Sequence, residues 1–236
     1  IINRIYRTLE TLPLTKRKSW YRFIFTIQRA LLLTNIYVSI GAGSLCYACT
    51  KLLGITDFFP HVLISMLYVQ SMHIFNNLTG TKADQYNDPY RAFFYNKNKI
   101  LLALLAFIAG GAGLMTAYTL GLTPFLILLA MSIMGLSYNL TLVPKRFARL
   151  RYRRIRDIPG SKTVLIAMAW GIVTSVLPSL SVSKYIPLST ALLLMWSLSL
   201  VFVRSAFFDI LDMQGDRIVG KETIPIMLGE DRAMGL

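Results

Sequence analysis

The sequence predicts an all-α protein, a polytopic bundle of transmembrane helices. Three observations predict it. Hydrophobic residues make up 55% of the 236-residue chain, and the mean hydropathy is +0.54. Those residues are gathered in blocks about as long as a bilayer is thick. The basic residues alternate between successive loops.

A transmembrane helix needs about 20 mostly apolar residues to cross a hydrocarbon core of about 30 Å. Six segments are predicted to do so: 23–50, 59–76, 100–119, 122–143, 163–180 and 186–208. In each, apolar residues run around the whole helical circumference, the pattern of lipid-embedded helices. No strand-like alternation runs along the chain, which argues against a β-barrel. Residues 1–22 are basic and polar, without the apolar stretch and small-residue cleavage site of a signal peptide, and are expected to be a cytoplasmic N-terminal segment. The chain starts at Ile1 and stops at Leu236, just after a loop that looks ready to enter another helix. Both ends are therefore expected to be incomplete, with residues 1–236 forming a single membrane-embedded domain truncated at its C-terminus.

Small features inside the spans have structural readings. Cys46 and Cys49 form a CxxC within the first apolar segment, where thiols pack rather than bind metal or exchange disulfides. Gly110, Gly111 and Gly113 suit close helix packing, and no P-loop Lys-Ser/Thr follows them.

The formal charge is +14, but its placement argues against nucleic acid. Lys16, Arg17, Lys18 and Arg22 precede the first span. Lys82, Arg91, Lys97 and Lys99 follow the second. Lys145, Arg146, Arg149, Arg151, Arg153, Arg154, Arg156 and Lys162 follow the fourth. The alternate loops are nearly bare: 54–58 and 119–123 carry no base, and 181–187 carries only Lys184. By the positive-inside rule the N-terminus and the even-numbered helix ends face the cytoplasm. The remaining basic charge suits anionic lipid headgroups.

The acids carry the functional signal. Of 11 acidic residues only Asp57 lies in a predicted outer loop. One group is Asp84 and Asp88, in a segment where Asn76, Gly80, Asp84 and Asp88 fall one turn apart if the second helix continues to Pro89. The other is Asp209, Asp212 and Asp216, which fall within about 60° of one another on a helix at about 100° per residue. Like charges on one face repel unless a cation joins them, and ionisable groups at membrane depth are functional candidates. Oxygen ligands without a Cys or His cluster suit Mg²⁺ or Ca²⁺ rather than Zn²⁺. No EF-hand pattern is present, and Mg²⁺ typically takes one or two carboxylates plus substrate phosphates. Two acidic helix ends flanked by Lys and Arg thus point to a Mg²⁺–diphosphate clamp, with Asn76, Asp84, Asp88, Asp209, Asp212 and Asp216 as candidate ligands.

At these residues the chain resembles the UbiA superfamily of intramembrane prenyltransferases. That family carries an NxxxDxxxD motif after its second helix and a DxxxD motif after its sixth. Here the second motif is Asp212-x3-Asp216, preceded by Asp209. The run 215–225 followed by Leu228 and Gly229, the Asp84-x2-Asn87-x-Pro89-Tyr90 stretch, and Tyr138 before the basic loop are also similar to the family. The first motif departs from the pattern: aligned on Asp84 it reads Asn76-x3-Gly80-x3-Asp84, with glycine in place of the middle aspartate. The family core has nine helices, against six predicted here.

The resemblance implies Mg²⁺ as cofactor, a polyprenyl diphosphate donor and a membrane-soluble acceptor, joined within the bilayer. Asp84, Asp212 and Asp216 become the catalytic acids. Lys82, Arg91, Lys145, Arg146, Arg217 and Lys221 become candidates for holding the diphosphate. Tyr138, as a π face toward an allylic cation, and His73, one turn before Asn76, become candidate substrate contacts. Gly80 keeps open an alternative, a noncatalytic subunit of the same fold in a larger membrane complex. A transporter using its carboxylates is disfavoured, because transporter acids sit near mid-membrane on broken helices and these sit at helix ends.

Overall fold

The computed structural model describes residues 19–80, 82–137, 160–183, 185–219 and 223–229, with the side chains of 19–23, 82 and 83 outside the description. All regular structure among the described residues is helical, in the order α1 (Ser19–Leu33), α2 (Ile36–Leu52), α3 (Phe59–Leu78), α4 (Lys82–Asn87), α5 (Pro89–Lys97), α6 (Lys99–Leu120) and α7 (Leu122–Ser137). There follow α8 (Ser161–Gly171), a π-helical turn (Ile172–Val176), α9 (Leu177–Val182), α10 (Leu188–Leu211), α11 (Met213–Ile218) and α12 (Ile224–Leu228). The chain is an all-α membrane helical bundle.

Three of the predicted spans are single helices long and apolar enough to cross a bilayer: Lys99–Leu120, Ser161–Val182 (through the π turn) and Leu188–Leu211. The first predicted span, 23–50, is not one helix. It breaks between α1 and α2 and bends by 71°. Asn35 adopts a left-handed conformation at the corner (φ 61°), a region that Asn tolerates better than most residues. Its Nδ2 donates to Tyr95 Oη at 2.9 Å, and Gln70 Nε2 donates to the Thr34 carbonyl at 2.5 Å. Burial raises the Tyr95 phenol above its ordinary range, which keeps it neutral.

The second predicted span forms as α3, 20 residues long, but it is less apolar than those three. Its polar residues face protein: His61, Ser65, Gln70 and Ser71 are buried. Ser71 Oγ donates to the Ala106 carbonyl at 2.8 Å, and His61 Nε2 lies 3.2 Å from Ser181 Oγ. The fourth predicted span is described only to Ser137, as a 16-residue apolar helix.

Helix α3 packs against α2, α6 and α7. Glycines permit two of these approaches: a side chain at Gly43 would meet Met66 Cγ at 2.6 Å, and one at Gly110 would meet Ser71 Oγ at 2.9 Å. The main core joins Ile64, Tyr68 and Val69 of α3 to Leu128 and Met131 of α7 and to Trp170, Val173 and Leu177. Cys46 and Cys49 are buried free thiols. The exposed faces of α6 and α10 are large apolar side chains, among them Ile100, Phe107, Leu188 and Val203, as lipid contact requires.

Candidate functional site

The site forms where α3 and α10 end. The helix predicted to run from Asn76 through Asp88 does not do so: α3 stops at Leu78 and α4 starts afresh at Lys82. Thr79 Oγ1 bonds back to the carbonyls of Phe75 and Asn76 at 2.9 and 3.2 Å, and Gly80 follows, a residue that costs a helix about 1 kcal/mol relative to Ala. The Asp84 carboxylate lies against the Cα of Gly80, where a Cβ would collide with Asp84 Oδ2 and stand 3.0 Å from the Asn77 carbonyl.

Pro89 ends α4 as expected. Asp88 leaves the helical region (φ −142°) and caps α5, its Oδ1 accepting from Arg91 N–H at 3.0 Å. Its Oδ2 lies 3.5 Å from Arg91 Nε. Two residues predicted for different partners, metal and diphosphate, are thus engaged with each other.

On the other side, α10 gives way to α11 at Asp212, but the helical path persists. Asp212 N–H donates to the Phe208 carbonyl at 3.0 Å and Asp216 N–H to the Asp212 carbonyl at 3.1 Å. The three aspartates therefore keep nearly the spacing their sequence implies. Asp209 and Asp216 are buried, at 7% and 1% exposure. Thr163 Oγ1 donates a hydrogen bond to Asp209 Oδ2, and Lys162 Nζ is 3.9 Å from Asp209 Oδ1.

Asn87 joins the two acidic segments. Its Oδ1 accepts from Gly215 N–H at 3.0 Å, and its Nδ2 faces Asp216 Oδ1 at 3.5 Å. The contact needs glycine at 215, because a Cβ there would sit 2.6 Å from Asn87 Cγ. Lys162 stands beside this junction, its Nζ 3.9 Å from Asp209 Oδ1 and within electrostatic reach of Asp212, Asp84 and Asp216.

An apolar cleft opens at this point, enclosing about 890 Å³ with its open mouth included. Asn76, Thr79 and Lys162 line its polar part; His73, Tyr68, Met131 and Trp170 line its apolar part. The His73 ring meets Trp170 edge-on at 6.3 Å, and the Arg204 guanidinium lies 5.8 Å from the Trp170 ring.

The structure thus sets Asp209 against Lys162, ties the segment of Asp84 to that of Asp212 and Asp216 through Asn87, and sets Asn76 and His73 in the adjoining cleft. Arg217 is exposed on α11. Tyr138, Lys145, Arg146 and Lys221 lie outside the described residues, as does the side chain of Lys82. Sequence reasoning missed four contributors. In the sequence Lys162 reads as topological charge and Asn87 as part of a motif, and Thr163 and Trp170 carry no signal. Among the described residues no three His, Cys, Asp or Glu form a ready metal shell. The acids and Asn76 nonetheless offer oxygen donors only, the set that suits a water-rich ion such as Mg²⁺.

A family model described as the UbiA prenyltransferase family matches residues 36–236, and the chain belongs to that family. No curated protein and no solved structure matches it.

Proposed function

We propose that this member of the UbiA prenyltransferase family transfers a prenyl group, in a Mg²⁺-dependent reaction, from a polyprenyl diphosphate to a membrane-soluble acceptor. The observation that carries the proposal is the meeting of two acidic segments, joined through Asn87, beside Lys162 at an apolar cleft. Family members act on prenyl groups within membranes, and this arrangement gives both halves of such a donor a place.

The allylic C–O bond breaks heterolytically, and negative charge grows on the leaving diphosphate. Asp84, Asp212 and Asp216, with Asn76, are the residues to hold Mg²⁺. When bound, the ion supplies Lewis acidity at the diphosphate oxygens. Lys162 adds a positive charge beside them, and Arg217 and Lys221 are further candidates. The prenyl tail lies in the cleft, away from water. Trp170 offers a π surface to the developing allylic cation, the role expected of Tyr138, while His73 packs edge-on against its ring. Asn87 and Gly215 act as positioning residues, since they fix one acidic segment against the other. Alternating loop basicity supports a cytoplasmic site.

A second reading, a noncatalytic subunit of the same fold, is favoured by one observation: glycine at position 80. Purified protein supplied with prenyl diphosphates of several lengths and a lipid extract, with and without Mg²⁺, separates the two. Mg²⁺-dependent diphosphate release supports the enzyme; no release from any donor supports the subunit.

A further inference from the structure

We infer that Lys162 is the resident cation of the acidic array, holding its carboxylates together when metal is absent and competing with the metal for them. The inference deepens the metal-dependent reading above and rests on it.

Four carboxylates from α4, α10 and α11 converge in a partly dehydrated place, where unbalanced charge is costly. Lys162 Nζ stands 3.9 Å from Asp209 Oδ1 and within electrostatic reach of the other three. Its placement is built in two ways. It stands in the first turn of α8, next to Thr163, and these consecutive residues take the two oxygens of the same buried carboxylate, Asp209. The N-terminal turn of an eleven-residue helix also favours a negative group there. Asp209 is thereby committed to Thr163 and Lys162. It serves as a positioning residue for the ammonium, whose charge then acts on Asp212, Asp84 and Asp216, the carboxylates proposed for the metal.

The ammonium is not sealed in, because the Lys162 side chain is 34% exposed and borders the cleft. Four flexible methylenes let it move without unfolding α8. A divalent ion entering among the carboxylates repels the ammonium and loosens it. Metal affinity in the absence of diphosphate is therefore held down by Lys162. An ordinary supporting residue predicts the opposite sign.

The test uses Mn²⁺ as the probe, read by electron paramagnetic resonance on the purified chain in neutral detergent, without diphosphate. Lys162→Met is expected to bind Mn²⁺ roughly fivefold more tightly than the parent, the scale of a partly exposed ion pair. Lys162→Arg keeps the charge and is expected to stay at the parent's affinity. Equal or weaker binding by Lys162→Met, with the parent binding Mn²⁺, overturns the inference and leaves the metal site standing. No Mn²⁺ binding by either protein overturns both. A second measurement needs no variant: acetylation of Lys162 in the parent, followed by mass spectrometry, is expected to rise severalfold when Mn²⁺ is added. An unchanged or slower rate contradicts competition.

Discussion

Replacing Gly215 with alanine adds one methyl group at the seam between the two acidic segments. The added carbon would overlap the Asn87 Oδ1 position and stand 2.6 Å from Asn87 Cγ and 3.0 Å from Nδ2, so the amide has to leave. Two interactions go with it. The Gly215 N–H to Asn87 Oδ1 bond, at 3.0 Å, is an ordinary neutral hydrogen bond worth about 1 kcal/mol. The Asn87 Nδ2 contact to Asp216, long at 3.5 Å, contributes less than the roughly 1.5–3 kcal/mol of a well-formed bond to a charged group, about 1 kcal/mol. Together they amount to about 2 kcal/mol; if all of it serves to position Asp216 in the transition state, diphosphate release slows roughly 30-fold. The assay is Mg²⁺-dependent diphosphate release in detergent, beside thermal unfolding of the same samples. Asn87→Ala removes the group that the new methyl strikes. In that background Gly215→Ala is expected to cost much less, so the double-mutant cycle is non-additive. Wild-type release by Gly215→Ala, or full additivity with Asn87→Ala, refutes the coupling.

Other predictions follow from the same geometry. Thr163→Val removes a donor to buried Asp209 and is expected to destabilise the chain by about 1–3 kcal/mol, while Thr163→Ser retains most of the stability; thermal unfolding reads both. Any side chain at position 80 pushes the Asp84 carboxylate aside. Gly80→Ala is therefore expected to raise the Mg²⁺ concentration needed for activity, and Gly80→Asp to do so less, because it returns a carboxylate to the vacated space. A Mg²⁺ titration of release ranks the two.

The fold class was legible because lipid contact demands apolar side chains all round a helix, and α6, α8–α9 and α10 supply them. The bend between α1 and α2 was not legible. Its causes, Tyr95 and Gln70, lie far along the chain, and the apolar composition runs straight through the corner. The DxxxD spacing of Asp212 and Asp216 survived because backbone hydrogen bonding carries the helical path across their junction. The stripe from Asn76 to Asp88 required the helix to continue, and it stops at Thr79 and Gly80, where helix-weakening residues meet. Lys162 was hidden by its neighbours: in a basic stretch one lysine looks like another, and only the meeting of α8 with the end of α10 singles it out. The Asn87–Gly215 contact spans 128 residues, and nothing local to either residue announces it.

The central claim is that two acidic segments form one site that ionises a prenyl diphosphate. Its most direct test is diphosphate release by the purified protein with a prenyl donor and Mg²⁺, compared among the parent, Asp84→Ala, Asp212→Ala and Asp216→Ala. Release that requires Mg²⁺ and falls at least about a hundredfold in each variant is the predicted result. Release that persists in Asp84→Ala or in the Asp212 and Asp216 variants contradicts a shared site.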